Sequence, residues 1–262
     1  MIRQFVVAMA MIFAFLAIAQ GQAAAGEVRV LSAVGVRQIM LDLGPKFERA
    51  SGHKLVSTFD STGSIVKRIT SGESIDIVIL NQAGVESLTK AGLLVPDSEA
   101  DVASSVTAMA VRKGATKPDI SSAEAFKRAL LSAKSISRVS PVVGGSSGDH
   151  ITMILERLGI ADEVNAKSVV SGLPGSNTGS PGQLLANGRA EIALHQLQEL
   201  MAVPGIEIVG PFPGDLQGVF VFSAAITSSA SERGASQALI DFLRTPDAAA
   251  VIQAKGMEPA IR

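Results

Sequence analysis

Residues 27–52 read EVRVLSAVGVRQIMLDLGPKFERASG, and this stretch sets the pattern that decides the fold. Its first eight residues are rich in valine and leucine and predict a strand. The remainder predicts a helix that ends at Gly52, because apolar residues recur there at helical-turn spacing, at Ile39, Leu43 and Phe47. A strand followed at once by an amphipathic helix is the basic unit of an α/β fold.

The same unit recurs twice in the next thirty residues. KLVSTFD (54–60) predicts a strand, GSIVKRITSG (63–72) a helix, and SIDIVILN (74–81) a third strand. Parallel strands need helical crossovers, which are almost always right-handed. The first eighty residues therefore predict a parallel sheet.

The alternation continues to the end of the chain. Further strands are predicted at 107–114, 135–143, 166–172, 191–196, 206–210 and 218–226. Further helices are predicted at 121–133, 151–160, 182–190, 235–245 and 246–256. We expect two α/β lobes with a ligand cleft between them, joined by crossing strands at 107–114 and 218–226. One lobe would hold residues 26–106 and 219–262, and the other residues 107–218.

The first 25 residues are typical of an export signal. Arg3 is followed by an apolar run from Phe5 to Ala19 and by the small residues Ala23-Ala24-Ala25. The alternative, a permanent anchor, needs a longer apolar run of about 20 residues. We therefore expect cleavage near Gly26 and a mature protein in the periplasm.

Composition narrows the classes of ligand. The formal net charge is −1, and no basic block is present, which argues against nucleic acid and anionic membranes. The chain has no Cys, so thiolate metal ligands and thiol nucleophiles are excluded. It also has no Trp and no Tyr, the rings on which sugars and bases usually stack.

Several strand-to-helix turns carry glycine and hydroxyl residues, as a pocket for an anion would. These turns are Ser32–Val36, Asp60–Ser64, the segment GGSSGDH (144–150), and Ser176–Thr178. In open α/β sheets such turns lie at the carboxyl edge, where helix N-termini direct free N–H groups at a ligand. For any one turn, simple helix capping explains the same residues. Four such turns in one chain favour an anion site.

Two of the three histidines stand where this architecture places ligand contacts. His150 opens a helix, and His195 ends the strand EIALHQ, whereas His53 follows a helix exit and has no predicted role. A histidine at either place can donate to an anion or move a proton. The alternatives are that His150 caps a helix and that His195 pairs with Glu199. Asp149 beside His150 is a weak metal signal without H-x-x-H spacing, and we predict no metal.

The order of segments resembles the molybdate-binding branch of the type II periplasmic binding proteins. The resemblance covers most of the chain after residue 26, including STFDSTGSIVKRITSGESIDIVILN, AMAVRKG, EIALHQ and ALIDFLRTPDAAAVIQAKG. It implies two α/β lobes with a hinge and an anion held in the cleft. Members usually act as monomers.

The chain departs from the molybdate-binding pattern at three places. Val34-Gly35 replaces an Ala-Ser pair, His195 replaces a Tyr, and Ser146-Ser147-Gly148 replaces a Pro-Ala-Gly turn. A tetrahedral oxyanion needs neutral hydroxyl and amide donors, so added imidazoles and a carboxylate point to a larger ligand that carries exchangeable protons.

Within this superfamily the chain is similar to the aconitate isomerases, which interconvert cis- and trans-aconitate by an allylic proton shift without a cofactor. That resemblance implies a small tricarboxylate ligand, with His150 and His195 as catalytic residues. The implied substrate contacts are Val34, Gly35, Arg37, Ser61, Thr62, Gly63, Ser64, Lys67, Ser146, Ser147, Asp149, Asn177 and Thr178. The alternative is a non-catalytic receptor that delivers molybdate or a small polycarboxylate to the permease of an ABC importer.

Overall fold

The computed structural model describes residues 26–143, 146–172 and 178–260. The strands are β1 Glu27–Ala33, β2 Lys54–Asp60, β3 Ile77–Asn81, β4 Ala100–Arg112, β5 Ile136–Val139, β6 Ser168–Ser171, β7 Ile192–Gln196, β8 Ile206–Pro211, β9 Val219–Ile226 and β10 Glu258–Pro259. The predicted signal segment 1–25 lies outside the described residues.

The α-helices alternate with these strands along the chain. They are α1 Arg37–Ser51, α2 Thr62–Thr70, α3 Gln82–Lys90, α4 Ala123–Ser132, α5 Ser146–Arg157, α6 Ala161–Ala166, α7 Pro181–Ala186, α8 Leu197–Met201, α9 Arg233–Leu243 and α10 Pro246–Ala254. Short 3-10 turns occupy Val34–Val36, Pro141–Val143 and Gly214–Leu216. Among the described helices, not one is both long and apolar enough to cross a bilayer.

The strands form one curled, mixed sheet in the order β2-β1-β3-β9-β4-β7-β5-β6, with β8 and β10 also paired to β4. β1 is parallel to β2 and β3, as predicted. β9 then runs antiparallel to both β3 and β4, so the sheet as a whole is mixed. The predicted α/β class is confirmed.

β4 is the strand that connects the two halves of the sheet. Its first part, Ala100–Val106, pairs with β9, and its second part, Thr107–Arg112, pairs with β7 and β8. Buried apolar residues form a large cluster on β1, β3 and β9 and separate clusters on the β5 and β7 side. This separation supports the proposed lobes, whose boundaries stay a prediction. β9, which we expected to cross between the lobes, pairs only with β3 and with the first part of β4.

α1 shows how the opening stretch folds. Ile39, Leu43 and Phe47 are buried on one face against the sheet, and Gly52 ends the helix with φ of 78°. Burying each such side chain contributes about 1.5–3 kcal/mol. The positive φ is one that glycine adopts without steric cost.

The segment GGSSGDH is not a loop throughout. Ser146–His150 already belongs to α5, which we expected to begin at Ile151. Gly148 lies within this helix and packs closely against the chain before it: a Cβ there would lie 3.0 Å from the carbonyl oxygen of Ser140. The glycine signals a close contact here, whereas sequence patterns treat glycine as a helix breaker.

Candidate functional site

A cavity of about 240 Å³ lies where the two halves of the sheet meet. The first turns of three helices line it, with Ser61 and Thr62 at α2, Ser146 and Ser147 at α5, and Pro181 at α7. The first N–H groups of a helix have no intrahelical acceptor, and the helix dipole favours negative charge there. The cavity is therefore suited to an anionic group.

Two of the serines that line the cavity also cap helices. Ser61 caps α2: its Oγ accepts the Ser64 N–H at 3.2 Å and donates to Ser64 Oγ at 2.9 Å. Ser180 caps α7 in a reciprocal capping box with Gln183. The capping alternative is thus correct for the Asp60–Ser64 turn, although Ser61 also lines the cavity, as Ser180 does.

A buried chain of close polar contacts joins Ser147, His195 and Glu199. Ser147 Oγ lies 3.0 Å from His195 Nδ1, and His195 Nε2 lies 2.9 Å from Glu199 Oε2. Ser147 and His195 are only 2% and 5% exposed. All three residues line the cavity. Nδ1 can accept the serine hydroxyl, while Nε2 lies in salt-bridge contact with the carboxylate.

Two of these three groups are close together in the sequence, and the third comes from a different helix. His195 lies near the end of β7, which is buried along its whole length. β7 passes directly into α8, so Glu199 in the first turn of the helix lies only four residues after His195. Ser147 arrives from the first turn of α5. The predicted alternative pairing of His195 with Glu199 is present.

Asp60 is the second carboxylate in the lining. Its Oδ1 accepts the Ser61 N–H at 2.7 Å, and its Oδ2 lies 3.6 Å from an Arg68 guanidinium nitrogen. Arg68 also binds Glu73 through two hydrogen bonds of 2.6 Å, and these contacts lower the pKa of Glu73, chiefly through the side-chain hydrogen bonds. The described lining contains no Lys or Arg. Neutral donors and helix dipoles must therefore hold an anion.

Two side-chain contacts hold the cavity closed across the halves. Gln198 Nε2 donates to the carbonyl oxygen of Gly35 at 2.8 Å. Asn81 Nδ2 donates to Ser146 Oγ. Gln198 is 2% exposed, so this contact between the two halves is buried.

The structure brings part of the predicted site together. The predicted residues that line the cavity are Val34, Gly35, Ser61, Thr62, Ser146, Ser147 and His195. Those that do not are Arg37, Gly63, Ser64, Lys67, Asp149 and His150. Thr178 directly precedes the lining residue Gly179. Asn177 lies outside the described residues.

His150 lies in the packing beside β9, outside the cavity. Its Nε2 lies 3.1 Å from the Leu216 carbonyl oxygen, and its ring contacts Phe212 and Phe220. Burial lowers the pKa of His150, although the contact with Leu216 opposes this. The expectation that His150 contacts the ligand is therefore not supported, because its helical position turns the ring toward the aromatic residues.

The predicted charged contacts also point elsewhere. The Arg37 guanidinium lies 5.5 Å from the centre of the Phe59 ring, and Lys67 is exposed on α2. Asp149 lines a different depression, with Asn81 and Glu86, and burial raises its pKa. Arg37 and Lys67 thus contribute charge only from a distance.

Sequence reasoning missed several lining residues, namely Asp60, Ser171, Gln196, Glu199 and Phe222. The spacing of four residues between His195 and Glu199 was the available signal, but it predicts a pair only if a helix begins at 197. No group of three or more metal-ligating side chains occurs within the described ranges.

Comparisons with known proteins agree with this architecture. Residues 28–258 match the family model for bacterial extracellular solute-binding proteins. The chain is 34% identical over 236 residues to a protein named aconitate isomerase from a Pseudomonas species, with 88% of this chain and 87% of that protein covered. It is 29% identical over 247 residues to the molybdate-binding protein ModA of Azotobacter vinelandii, covering 89% and 90% of the two chains.

A solved structure shows the same fold. The periplasmic molybdate-binding protein of Azotobacter vinelandii superimposes with a TM-score of 0.71 at 22% identity, covering 88% of this chain and 98% of that one. This likeness confirms the predicted type II periplasmic-binding-protein fold. The chain belongs to the family of bacterial extracellular solute-binding proteins.

Proposed function

We propose that this protein is an aconitate isomerase that interconverts cis- and trans-aconitate by an allylic proton shift. The observation that carries the proposal is the Ser147–His195–Glu199 chain on the wall of the cavity. A receptor for a fully ionised oxyanion has no use for a buried acid–base chain. The 34% identity to a protein named aconitate isomerase supports the same reading.

The size of the cavity supports a small organic acid as the ligand. Its volume of about 240 Å³ lies below the ~300–1,000 Å³ typical of pockets for drug-sized ligands. The carboxylates would be held by hydroxyl groups and by the N–H groups that open α2 and α5. Arg68, 3.6 Å from Asp60, offsets one of the two negative charges already in the lining.

The proposed reaction requires only proton movement. A base removes a proton from the methylene carbon, the electron pair shifts through the allyl system, and the double bond moves by one position. A proton then returns to the former vinyl carbon, so no electrons or atoms are gained. The negative charge that develops on the conjugated carboxylate would be stabilised by the fixed donors of the helix starts.

Location and partners follow from the family. We propose that residues 1–25 are cleaved during export and that the protein acts as a monomer in the periplasm without a cofactor. The second candidate function, a receptor of an ABC importer for molybdate or a polycarboxylate, is favoured by the 29% identity to ModA and by the hydroxyl-rich lining.

The test is to incubate the purified protein separately with cis- and trans-aconitate and to follow both isomers by chromatography. We expect each isomer to yield the same equilibrium mixture without added metal. The Glu199→Gln protein, purified in parallel, controls for a contaminating isomerase. Failure to convert either isomer, together with tight molybdate binding by calorimetry, would establish the receptor function instead.

A further inference from the structure

We propose that Glu199 is the base that removes and returns the carbon-bound proton, and that His195 is a positioning residue. This inference rests on the proposed isomerase function. It changes the assignment made from the sequence, in which the histidines carried the proton. Four features of the described site support it.

The first feature is that both ring nitrogens of His195 are occupied. Nδ1 faces Ser147 Oγ at 3.0 Å, and Nε2 faces Glu199 Oε2 at 2.9 Å. A general base needs a free lone pair within hydrogen-bond reach of the substrate. The His195 ring can offer one only by giving up its hydrogen bond with Ser147 or its salt-bridge contact with Glu199, which leaves that residue without its partner.

The second feature is that Glu199 has a carboxylate oxygen to spare. Oε2 is bound to His195, and within the described ranges Oε1 has no hydrogen-bond partner. The side chain lines the cavity and is only 16% exposed. Glu199 therefore presents an acceptor to the ligand from a site largely free of water.

The third feature is that the other carboxylate in the lining is already committed. Asp60 accepts the Ser61 N–H at 2.7 Å and lies 3.6 Å from the Arg68 guanidinium. Its side chain is 39% exposed. Both oxygens of Asp60 thus already face a donor, so Glu199 is the lining carboxylate with an oxygen left for the substrate.

The fourth feature is that one carboxylate can perform both transfers. Glu199 takes the methylene proton on Oε1 and becomes neutral while the allyl anion forms. It then gives the same proton to the other end of the allyl system on the same face, and the carboxylate is restored. His195 donates Nε2–H to Oε2 throughout, and the Ser147 hydroxyl keeps the ring in that tautomer.

The kinetic test compares variants at Glu199 and His195, with trans-aconitate as the probe. Glu199→Gln should lower kcat by about 10³-fold or more, near the upper range for a general base. Glu199→Asp, which keeps the carboxylate, should recover about tenfold of that loss. Glu163→Gln, an exposed change on α6, is the matched control and should leave kcat unchanged. His195→Gln should lower kcat by about tenfold with KM within threefold, because an amide still donates to Glu199.

The isotope test follows single turnovers in D₂O. If Glu199 returns the proton that it removed, part of the product carries protium at the carbon that receives this proton. We expect this in wild type and in His195→Gln alike. Wild-type conversion with full activity in Glu199→Gln would overturn the assignment of the base. The assignment would also be overturned if His195→Gln were as inactive as Glu199→Gln and thermal melting showed that both variants are folded. A wild type that converts neither isomer would overturn the isomerase function itself, and the assignment with it.

Discussion

Phe222 lies directly over Gly35, and a Cβ atom on Gly35 would come within 2.6 Å of the Phe222 Cζ. Both residues line the cavity. Gln196 Oε1 would also lie 3.2 Å from that Cβ. Gly35 is thus required by packing, because the absence of a side chain allows the phenylalanine ring to form one wall of the cavity.

Gly35→Ala should therefore destabilise the closed protein by about 1–3 kcal/mol, the usual cost of overpacking. We expect a lower melting temperature and weaker aconitate binding by calorimetry. Gly234→Ala on α9, where a Cβ meets no atom within 4 Å, is the matched control. Adding Phe222→Leu to Gly35→Ala should restore part of the binding. Unchanged binding in Gly35→Ala would show that the ring can move aside freely.

Asp76 predicts how the protein responds to acid. The residue is fully buried, and burial would raise its pKa, but hydrogen bonds from the backbone N–H groups of Arg29, Ser231 and Glu232 hold its pKa below the ordinary range. A lowered pKa in the folded state means that the stabilisation is complete above the unfolded value of about 3.9. It is lost as the pH falls through the folded value.

Asp76→Asn should cost about 1.5–3 kcal/mol near neutral pH, the range for hydrogen bonds to a charged group. Its melting temperature should also fall less steeply than that of wild type below about pH 4. Glu163→Gln, at an exposed carboxylate on α6, is the control and should follow the wild-type curve. Parallel curves for Asp76→Asn and wild type would show that another group controls acid unfolding.

Most of the first half of the fold could be predicted from the sequence. β2 was predicted at its observed bounds, and α1 at its observed end, because apolar periodicity and the Gly52 stop are local signals. β4 was predicted to begin at Thr107 but begins at Ala100. The residues between them, ADVASSV, are half polar because this part of the strand is only partly covered, so alternation is weak.

The candidate site was predictable only as a set of turns. Ser61 and Ser147 were found because hydroxyl residues at strand ends have a physical role. Glu199 was considered only as a structural partner, since its position depends on α8, a five-residue helix with no N-cap hydrogen bond. His150 was overrated because a glycine-rich segment looked like a loop, although helical packing turns its ring toward Phe212 and Phe220.

Gln198 should control how firmly the cavity closes. Its Nε2 donates to Gly35 and to Gln196 Oε1, each at 2.8 Å, and its Oε1 accepts from Ser105. Gln198→Ala leaves buried partners unsatisfied, which costs about 1–3 kcal/mol. We expect aconitate affinity to fall by about tenfold for each 1.4 kcal/mol lost from the closed form. Gln237→Ala, on the exposed face of α9, is the control and should change neither aconitate affinity nor melting temperature.

His150 should contribute to stability and not to turnover. Its pKa is lowered by burial, so the unfolded chain takes up the proton more readily than the folded protein. The stabilisation is therefore complete above the unfolded value of about 6.5 and is lost as the pH falls through the folded value. His150→Gln keeps a donor for Leu216 but cannot titrate, so its melting temperature should vary less between pH 7 and pH 5.

The same variant separates the two histidines in function. Because His150 lies outside the cavity, His150→Gln should keep kcat for aconitate within about threefold of wild type, whereas His195→Gln should not. His53→Gln, a partly exposed histidine on the other side of α1, is the matched control for both measurements. A loss of turnover in His150→Gln without a change in melting temperature would place His150 in the reaction after all.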